Sequence, residues 1–286
     1  MRAVPMMFVT VVSVLASFAA GFERPTAAAE DVAPLPTGVQ AAWDLQDAHR
    51  QSTSTREQIS INGLWLWQPA GDDNAVPQTG WGHFKVPGCW PGISDYMQKD
   101  CQTVFAHPSW ADKRLGAITA AWYQREMTTP PEWAGRRIVL DAAYVNSFAD
   151  VYIDGTKVGE IRFPAGEVDL TSACQPGRKY TLSIRVDAMP LKAVMLSYSD
   201  TASAKQVQGR VARRGLCGDV FLASAPKGAQ IGDVKVETSV RKKSITFDAA
   251  LADLGDDAQY VLKARVADGN DTAGEFTSKP FTKAQL

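Results

Sequence analysis

Apolar and polar residues alternate with a period of two along most of this chain, and that alternation restricts the fold more than any other feature. The clearest run is 180–187. Tyr180, Leu182, Ile184 and Val186 fall on one side, with Thr181, Ser183, Arg185 and Asp187 on the other. Successive side chains of a strand point to opposite faces, so such a run builds one dry face and one wet one, whereas a helix would scatter the same residues around its axis. Further strand signals fall at 136–143, 220–223, 231–240, 244–251 and 260–267. The segment 151–158 reads as a hairpin turning at Asp154-Gly155, a pair that tolerates the positive φ needed at both turn positions. No helical periodicity lasts beyond about three turns. Many short strands punctuated by Gly, Pro and Asn predict an all-β sandwich.

The chain has 286 residues, 45% of them hydrophobic and 21% charged, which describes a globular protein. Lys and Arg number 30 against 31 Asp and Glu, a net charge of −1, so there is no cationic excess to neutralise phosphates and no nucleic-acid partner is expected. Arg2, the apolar run 6–22 and Ala27-Ala28-Ala29 before Glu30 have the layout of an export signal at 1–29, with an earlier cleavage alternative at 19–21. Thr10, Ser13 and Ser17 dilute the run, and no second long apolar run follows. The rival reading is an uncleaved anchor; the favoured one is an exported chain, periplasmic or extracellular, without a membrane span.

Residues 30–56, rich in Ala, Pro, Gln, Ser and Thr, read as a leader with one short helical turn around 41–49. The main domain is expected at 57–226. A boundary near Pro226 then leaves a second unit, 227–286, with three or four strand signals. An immunoglobulin-like sandwich of seven strands needs about 100 residues, so this unit is expected to be incomplete, with open sheet edges. The four cysteines allow three pairings and contain no CxxC; Cys89 and Cys101 are near enough in sequence to bridge a loop, and buried thiols are the alternative. His49, His83 and His107 lack metal-ligand spacing and read as loop or surface residues. No metal or other cofactor is expected.

An ordered set of motifs spans 59–225. It begins with Ile61-Asn62-Gly63-Leu64-Trp65-Leu66-Trp67, followed by Trp81 and Lys85-Val86-Pro87-Gly88-Cys89-Trp90-Pro91. Next come Ala121-Trp122-Tyr123-Gln124-Arg125 and Trp133-Ala134-Gly135-Arg136-Arg137. Val145-Asn146-Ser147 precedes Val151-Tyr152-Ile153-Asp154-Gly155, and Arg214-Gly215-Leu216-Cys217-Gly218-Asp219-Val220 closes the set. In order and spacing this resembles the sugar-binding domain of family 2 glycoside hydrolases, the β-galactosidase and β-glucuronidase group. The resemblance implies a galactose-binding-like jelly-roll sandwich followed by the start of an immunoglobulin-like domain. In full-length relatives a (β/α)₈ barrel then carries both catalytic glutamates. A barrel takes about 250 residues, so none is expected within this chain. Asp154-Gly155 stands where the family usually has Asn-Gly, Phe163-Pro164-Ala165-Gly166 replaces an aromatic-rich stretch, and 191–208 has no Trp.

By the same resemblance, Asn146 and Asp219 match residues that reach into the sugar site of β-galactosidases. Read without it, Asn146 ties a turn and Asp219 pairs with Arg213 or Arg214. Trp65, Trp67, Trp122 and Trp133 are expected as core or sheet-face anchors. Trp81, Trp90 and Trp110 lie in loop-rich segments and are expected to be exposed, with Trp90 and Trp110 as aromatic sugar contacts. Glu126, Asp141, Asp150, Glu167 and Asp219 read as solvated surface acids rather than a catalytic pair, so no catalytic residue is assigned. The basic run 210–214 could meet an acidic sugar, or be a solvated loop. Two classes of function follow. The chain is either the non-catalytic front of an exported glycosidase, inactive alone and supporting a barrel in trans, or a secreted carbohydrate-binding module. A structural docking role or self-association is the third alternative.

Overall fold

The computed structural model describes residues 31–90, 104–188 and 213–286, with the backbone alone of two further strands, 190–196 and 204–210. The segment 1–29, expected as an export signal, and Cys101 lie outside the described residues. The strands are β1 (Arg50–Ser52), β2 (Glu57–Ser60), β3 (Gly63–Pro69), β4 (Gly82–Val86), β5 (Val104–Phe105), β6 (Ala120–Thr128), β7 (Arg137–Ala142), β8 (Val145–Asn146), β9 (Phe148–Ile153), β10 (Thr156–Arg162), β11 (Gly166–Asp169), β12 (Lys179–Asp187), β13 (Pro190–Leu196), β14 (Ala204–Arg210), β15 (Gly215–Leu216) and β16 (Val220–Ala225). No α-helix occurs among the described residues, and no helix there is long and apolar enough to cross a membrane. The turn expected around 41–49 is a bend at 45–48 rather than a helix.

Two antiparallel sheets hold the core. One runs β1-β2-β16-β7-β11 and the other β10-β9-β12-β6-β3-β4-β5. The alternation decides what meets between them. Leu182, Ile184 and Val186 of β12 and Trp65 and Trp67 of β3 point inward, onto Ile59, Ile138, Leu140 and Leu222 of the five-stranded sheet. Trp67 is the hub of an aromatic cluster, with ring centroids 5.5 Å from Phe84, 5.8 Å from Trp90, 5.1 Å from Trp110 and 6.5 Å from Tyr123. The hairpin at Asp154-Gly155 forms as expected, with φ of 48° and 79°.

The outer face of the seven-stranded sheet is not wholly wet. Trp81, Trp122 and Tyr152 form a second apolar cluster there, covered by Val32, Ala70 and Val76. Part of the 30–56 leader therefore belongs to the sandwich. Ala33 donates to the Trp81 carbonyl, β1 pairs with β2, and the Trp43 indole donates to the Ser60 carbonyl.

One inward position of β6 is a cation. Arg125 is buried among apolar residues, and its guanidinium donates to the carbonyls of Ile61 and Asn62 (both 2.6 Å), Leu64 (2.7 Å) and Ala41 (3.3 Å) while lying 5.2 Å over the Trp65 ring. Burial brings its pKa down to about 10, so it remains charged at neutral pH. Gly63, at φ +125°, leaves the guanidinium its space, because a Cβ there would stand 3.2 Å from Arg125 Nη2.

After Ser224 no residue is buried. The remainder forms β17 (Gln230–Ser239), β18 (Ser244–Ala252), β19 (Gln259–Tyr260), β20 (Lys263–Asp268), β21 (Asp271–Thr277) and β22 (Phe281–Thr282), paired only two by two as β17-β18, β19-β22 and β20-β21. The strand signals at 231–240 and 244–251 correspond to β17 and β18, and that at 260–267 divides into β19 and β20. In register, Ile231 faces Leu251, Val234 faces Ala249 and Val236 faces Phe247, giving the first hairpin one apolar side. Phe247 meets Phe276 of the second hairpin at 6.0 Å, yet Phe276 remains 48% exposed.

Candidate functional site

Three short extended segments lie side by side near one margin of the sandwich. The Gly88 and Trp90 amides donate to the carbonyls of Leu216 (2.9 Å) and Arg214 (2.8 Å), so 88–90 runs antiparallel to 214–216. On its other side, β15 pairs with β8, Gly215 opposite Asn146 and Leu216 opposite Val145. Beyond the strands the zipper continues. Cys217 and Gly218 both donate to the Tyr144 carbonyl, and Ala143 donates to that of Asp219.

Two glycines make this close approach possible. A Cβ on Gly215 (φ +120°) would fall 2.5 Å from the Tyr123 hydroxyl and 2.9 Å from the Trp90 ring. One on Gly218 would fall 2.6 Å from the Tyr144 amide nitrogen. Any side chain at either position would drive the strips apart.

Asn146 and Asp219, the two residues matched by resemblance, thus stand on opposing strips of one zipper. Asn146 is buried and its side-chain amide donates to the Arg213 carbonyl. Asp219 is exposed; its Oδ1 accepts from the Asn62 side chain at 2.8 Å, while Asn62 Oδ1 accepts from the Val220 amide at 2.9 Å. The ion pair expected between Asp219 and Arg213 or Arg214 does not form. Arg214 is buried and donates to the carbonyls of Gly116 and Ile118. Asn62 takes the Asp219 carboxylate because it sits in the turn between β2 and β3, within reach of the closing strand.

The expected exposed aromatics are corrected. Trp90 is 0% and Trp110 3% exposed, and Trp81 is equally enclosed. The Trp90 indole donates to the Ile118 carbonyl and that of Trp110 to Gly80. A loop-rich neighbourhood does not expose a ring when the loop folds back over the core, and neither indole offers a face for a sugar. The expectation for Trp65, Trp67, Trp122 and Trp133 as anchors holds, since all four are buried. His83 is likewise corrected: it lies buried in β4, and burial lowers its pKa.

The aromatics that do reach solvent beside Asn146 are Tyr144 and Phe163, 37% and 55% exposed, with rings 5.8 Å apart. The Phe163 amide donates to the Ser147 carbonyl and the Val145 amide to that of Pro164, which holds this loop against the Asn146 strip. The Phe163-Pro164 stretch stood out in the sequence only as a departure from the family pattern. Tyr144 carried no signal of its own.

The candidate acids are spread over separate contacts. Glu126 is paired with Lys179 and Asp150 with Lys157. Asp141 and Glu167 face each other across β7 and β11, on the outer side of their sheet. Burial, and then the Glu167 charge, raises the Asp141 pKa. The folded state therefore holds that proton more tightly than the unfolded chain and carries a penalty once the carboxyl ionises. Asp141→Asn is expected to stabilise the fold at pH 7 by about 0.5 kcal/mol for the relieved like-charge pair, with a correspondingly higher Tm. The gain should close as pH falls into the carboxylate range, and thermal melts at pH 7 and pH 4 test both parts.

A cleft of about 420 Å³ opens elsewhere, on the outer face of the seven-stranded sheet among Trp43, Leu64, Gln124, Glu126 and Ser183; neither Asn146 nor Asp219 lines it. Among the described residues no group of His, Cys, Asp and Glu could hold a metal ion.

No family model matches the sequence. Solved structures with a similar fold include the β-D-glucuronidase of Dictyoglomus thermophilum (TM-score 0.54, 16% identity, 82% of this chain and 38% of that one). A β-glucuronidase of an uncultured Clostridium sp. gives 0.58 and 18%, over 82% of this chain and 40% of that one. The Bifidobacterium dentium β-glucuronidase complexed with coumarin-3-O-glucuronide gives 0.54 and 22%, over 79% and 40%. The chain thus spans about 40% of the length of these enzymes. At such identities the likeness is one of fold.

Proposed function

We propose that this chain is the non-catalytic, sugar-site-supporting part of an exported family 2 glycoside hydrolase of the β-glucuronidase or β-galactosidase type. One observation carries the reading: more than three quarters of the chain follows the fold of less than half of several β-glucuronidases. The ordered motifs over 59–225 support it independently. Catalytic carboxylates would come from a barrel domain, supplied in the same longer protein or in trans. Here the zippered strips would form part of the sugar wall. The exposed Asp219 carboxylate accepts from sugar hydroxyls, Asn146 holds the strip in place through Arg213, and Tyr144 with Phe163 offers the aromatic face that Trp90 and Trp110 do not.

A stand-alone carbohydrate-binding module is the second reading, favoured by that exposed aromatic pair. Two measurements separate the readings from their failure. The purified chain should release no chromophore from p-nitrophenyl β-glucuronide or β-galactoside, and turnover by it would sink the non-catalytic assignment. Titration with methyl β-glucuronide and methyl β-galactoside, followed by NMR, should move resonances of Asp219 and Phe163. Asp219→Ala and Phe163→Ala should abolish that response without altering the fold. A response of wild-type strength in both variants would place the sugar elsewhere, the outer-face cleft being the first place to look.

A further inference from the structure

The zipper that carries Asn146 also brings two cysteines together. With Trp90 bonded to Arg214 and Gly88 to Leu216, Cys89 stands opposite Gly215, and Cys217 follows two residues later on the same face. Gly215 puts no side chain of its own between them; the Tyr123 hydroxyl and the Trp90 ring pack against it there. Cys217 leans back over that gap, its Sγ donating to the Gly215 carbonyl at 3.4 Å. Each thiol is the largest single influence on the other's pKa, so the two stand close. Both are half-buried, whereas Cys174 is enclosed in the core. Cys89 and Asn146 flank the same residue, Gly215, from its two sides.

We propose that Cys89 and Cys217 are a redox site, the two halves of a disulfide that an external disulfide installs between the 88–90 strip and the end of β15. The Cys89 thiolate attacks one sulfur of the external disulfide. A mixed disulfide forms, and one thiolate leaves and is protonated. Cys217 then loses its proton to solvent and its sulfur attacks Cys89 Sγ, expelling the second thiol. The pair gives up two protons and two electrons, and the external disulfide becomes two thiols. The order of attack follows the charges. The contact with Cys217, with Arg213 nearby, brings the Cys89 pKa to about 6, while the same contact and burial raise that of Cys217. Cys89 is thus the attacking thiolate at neutral pH and Cys217 the resolving thiol. Closing the bond clamps β15 against 88–90 and fixes the strip to which Asn146 is zippered. This site does not depend on the sugar assignment.

The test uses the full purified chain, reduced, then incubated with oxidised glutathione and mapped by mass spectrometry without reduction. The expected product is a peptide joining Cys89 to Cys217, formed equally in Cys101→Ser. It should be accompanied by a rise in Tm of about 5 °C or more that dithiothreitol reverses. In Cys217→Ser the reaction should stop at a glutathione adduct on Cys89. Before oxidation, iodoacetamide at pH 7 should label Cys89 about ten times faster than Cys217 or Cys174. A Cys89–Cys101 link in the wild type, or both cysteines left as thiols, overturns the proposal.

Discussion

Trp67→Ala should lower the melting temperature of the sandwich by about 10 °C or more, a loss of about 3–5 kcal/mol. Trp67 is fully buried and its ring touches Phe84, Trp90, Trp110 and Tyr123, which come from four different stretches of the chain. Truncation removes the transfer energy of one of the largest side chains and opens a hole that four rigid rings cannot close by rotating. Trp67→Phe should recover part of the loss, because a smaller ring still meets its neighbours edge to face. Phe163→Ala, at a half-exposed ring, should cost less than about 0.5 kcal/mol. Melts followed by far-ultraviolet circular dichroism check all three. If Trp67→Ala melts like the wild type, the aromatic cluster is not the core.

The second large effect is expected at Arg125. Arg125→Met is close in length and apolar, and by transfer energy alone it should be welcome in a buried row. The structure predicts the opposite, a loss of about 3 kcal/mol or more. The guanidinium donates to the carbonyls of Ile61, Asn62 and Leu64 along the tight passage from β2 to β3 and to that of Ala41; methionine would take this donor from all four and leave Ile61 with only the Trp65 indole. Arg125→Lys should recover only part of the stability. An ammonium cannot present a planar fork of donors to carbonyls on several sides. Denaturant midpoints for the two variants decide the matter: a Met variant as stable as the wild type would show that the carbonyls find other donors. Because Asn62 also holds Asp219, the Met variant should in addition disturb the strip that carries Asp219, visible as shifts in the Asp219 and Val220 amide resonances.

Much of this architecture was readable from local pattern. The period-two alternation at 180–187 became β12 and the Asp154-Gly155 pair became the β9-β10 turn, because strand direction and turn handedness depend on a few adjacent residues. Arg125 was visible only as the end of a motif. Its burial depends on carbonyls about sixty residues away, and no local pattern displays their geometry. Trp90 and Trp110 were misplaced for a related reason: whether a loop ring faces water depends on what the loop packs against.

Sequence alone determined that the chain is all-β, where strands such as β7, β9, β10, β12 and β16 to β18 lie, and which tryptophans of β3 and β6 anchor the sheets, since these follow from side-chain alternation and turn chemistry within a few residues. Only the tertiary structure decided that Asp219 is held by Asn62, that Tyr144 and Phe163 are exposed beside Asn146, and that Cys89 meets Cys217. Each of those contacts joins residues that are neighbours only after the strips zip together. Their distances are set by register and by two glycines that let backbones touch, and a period of two carries no information about either.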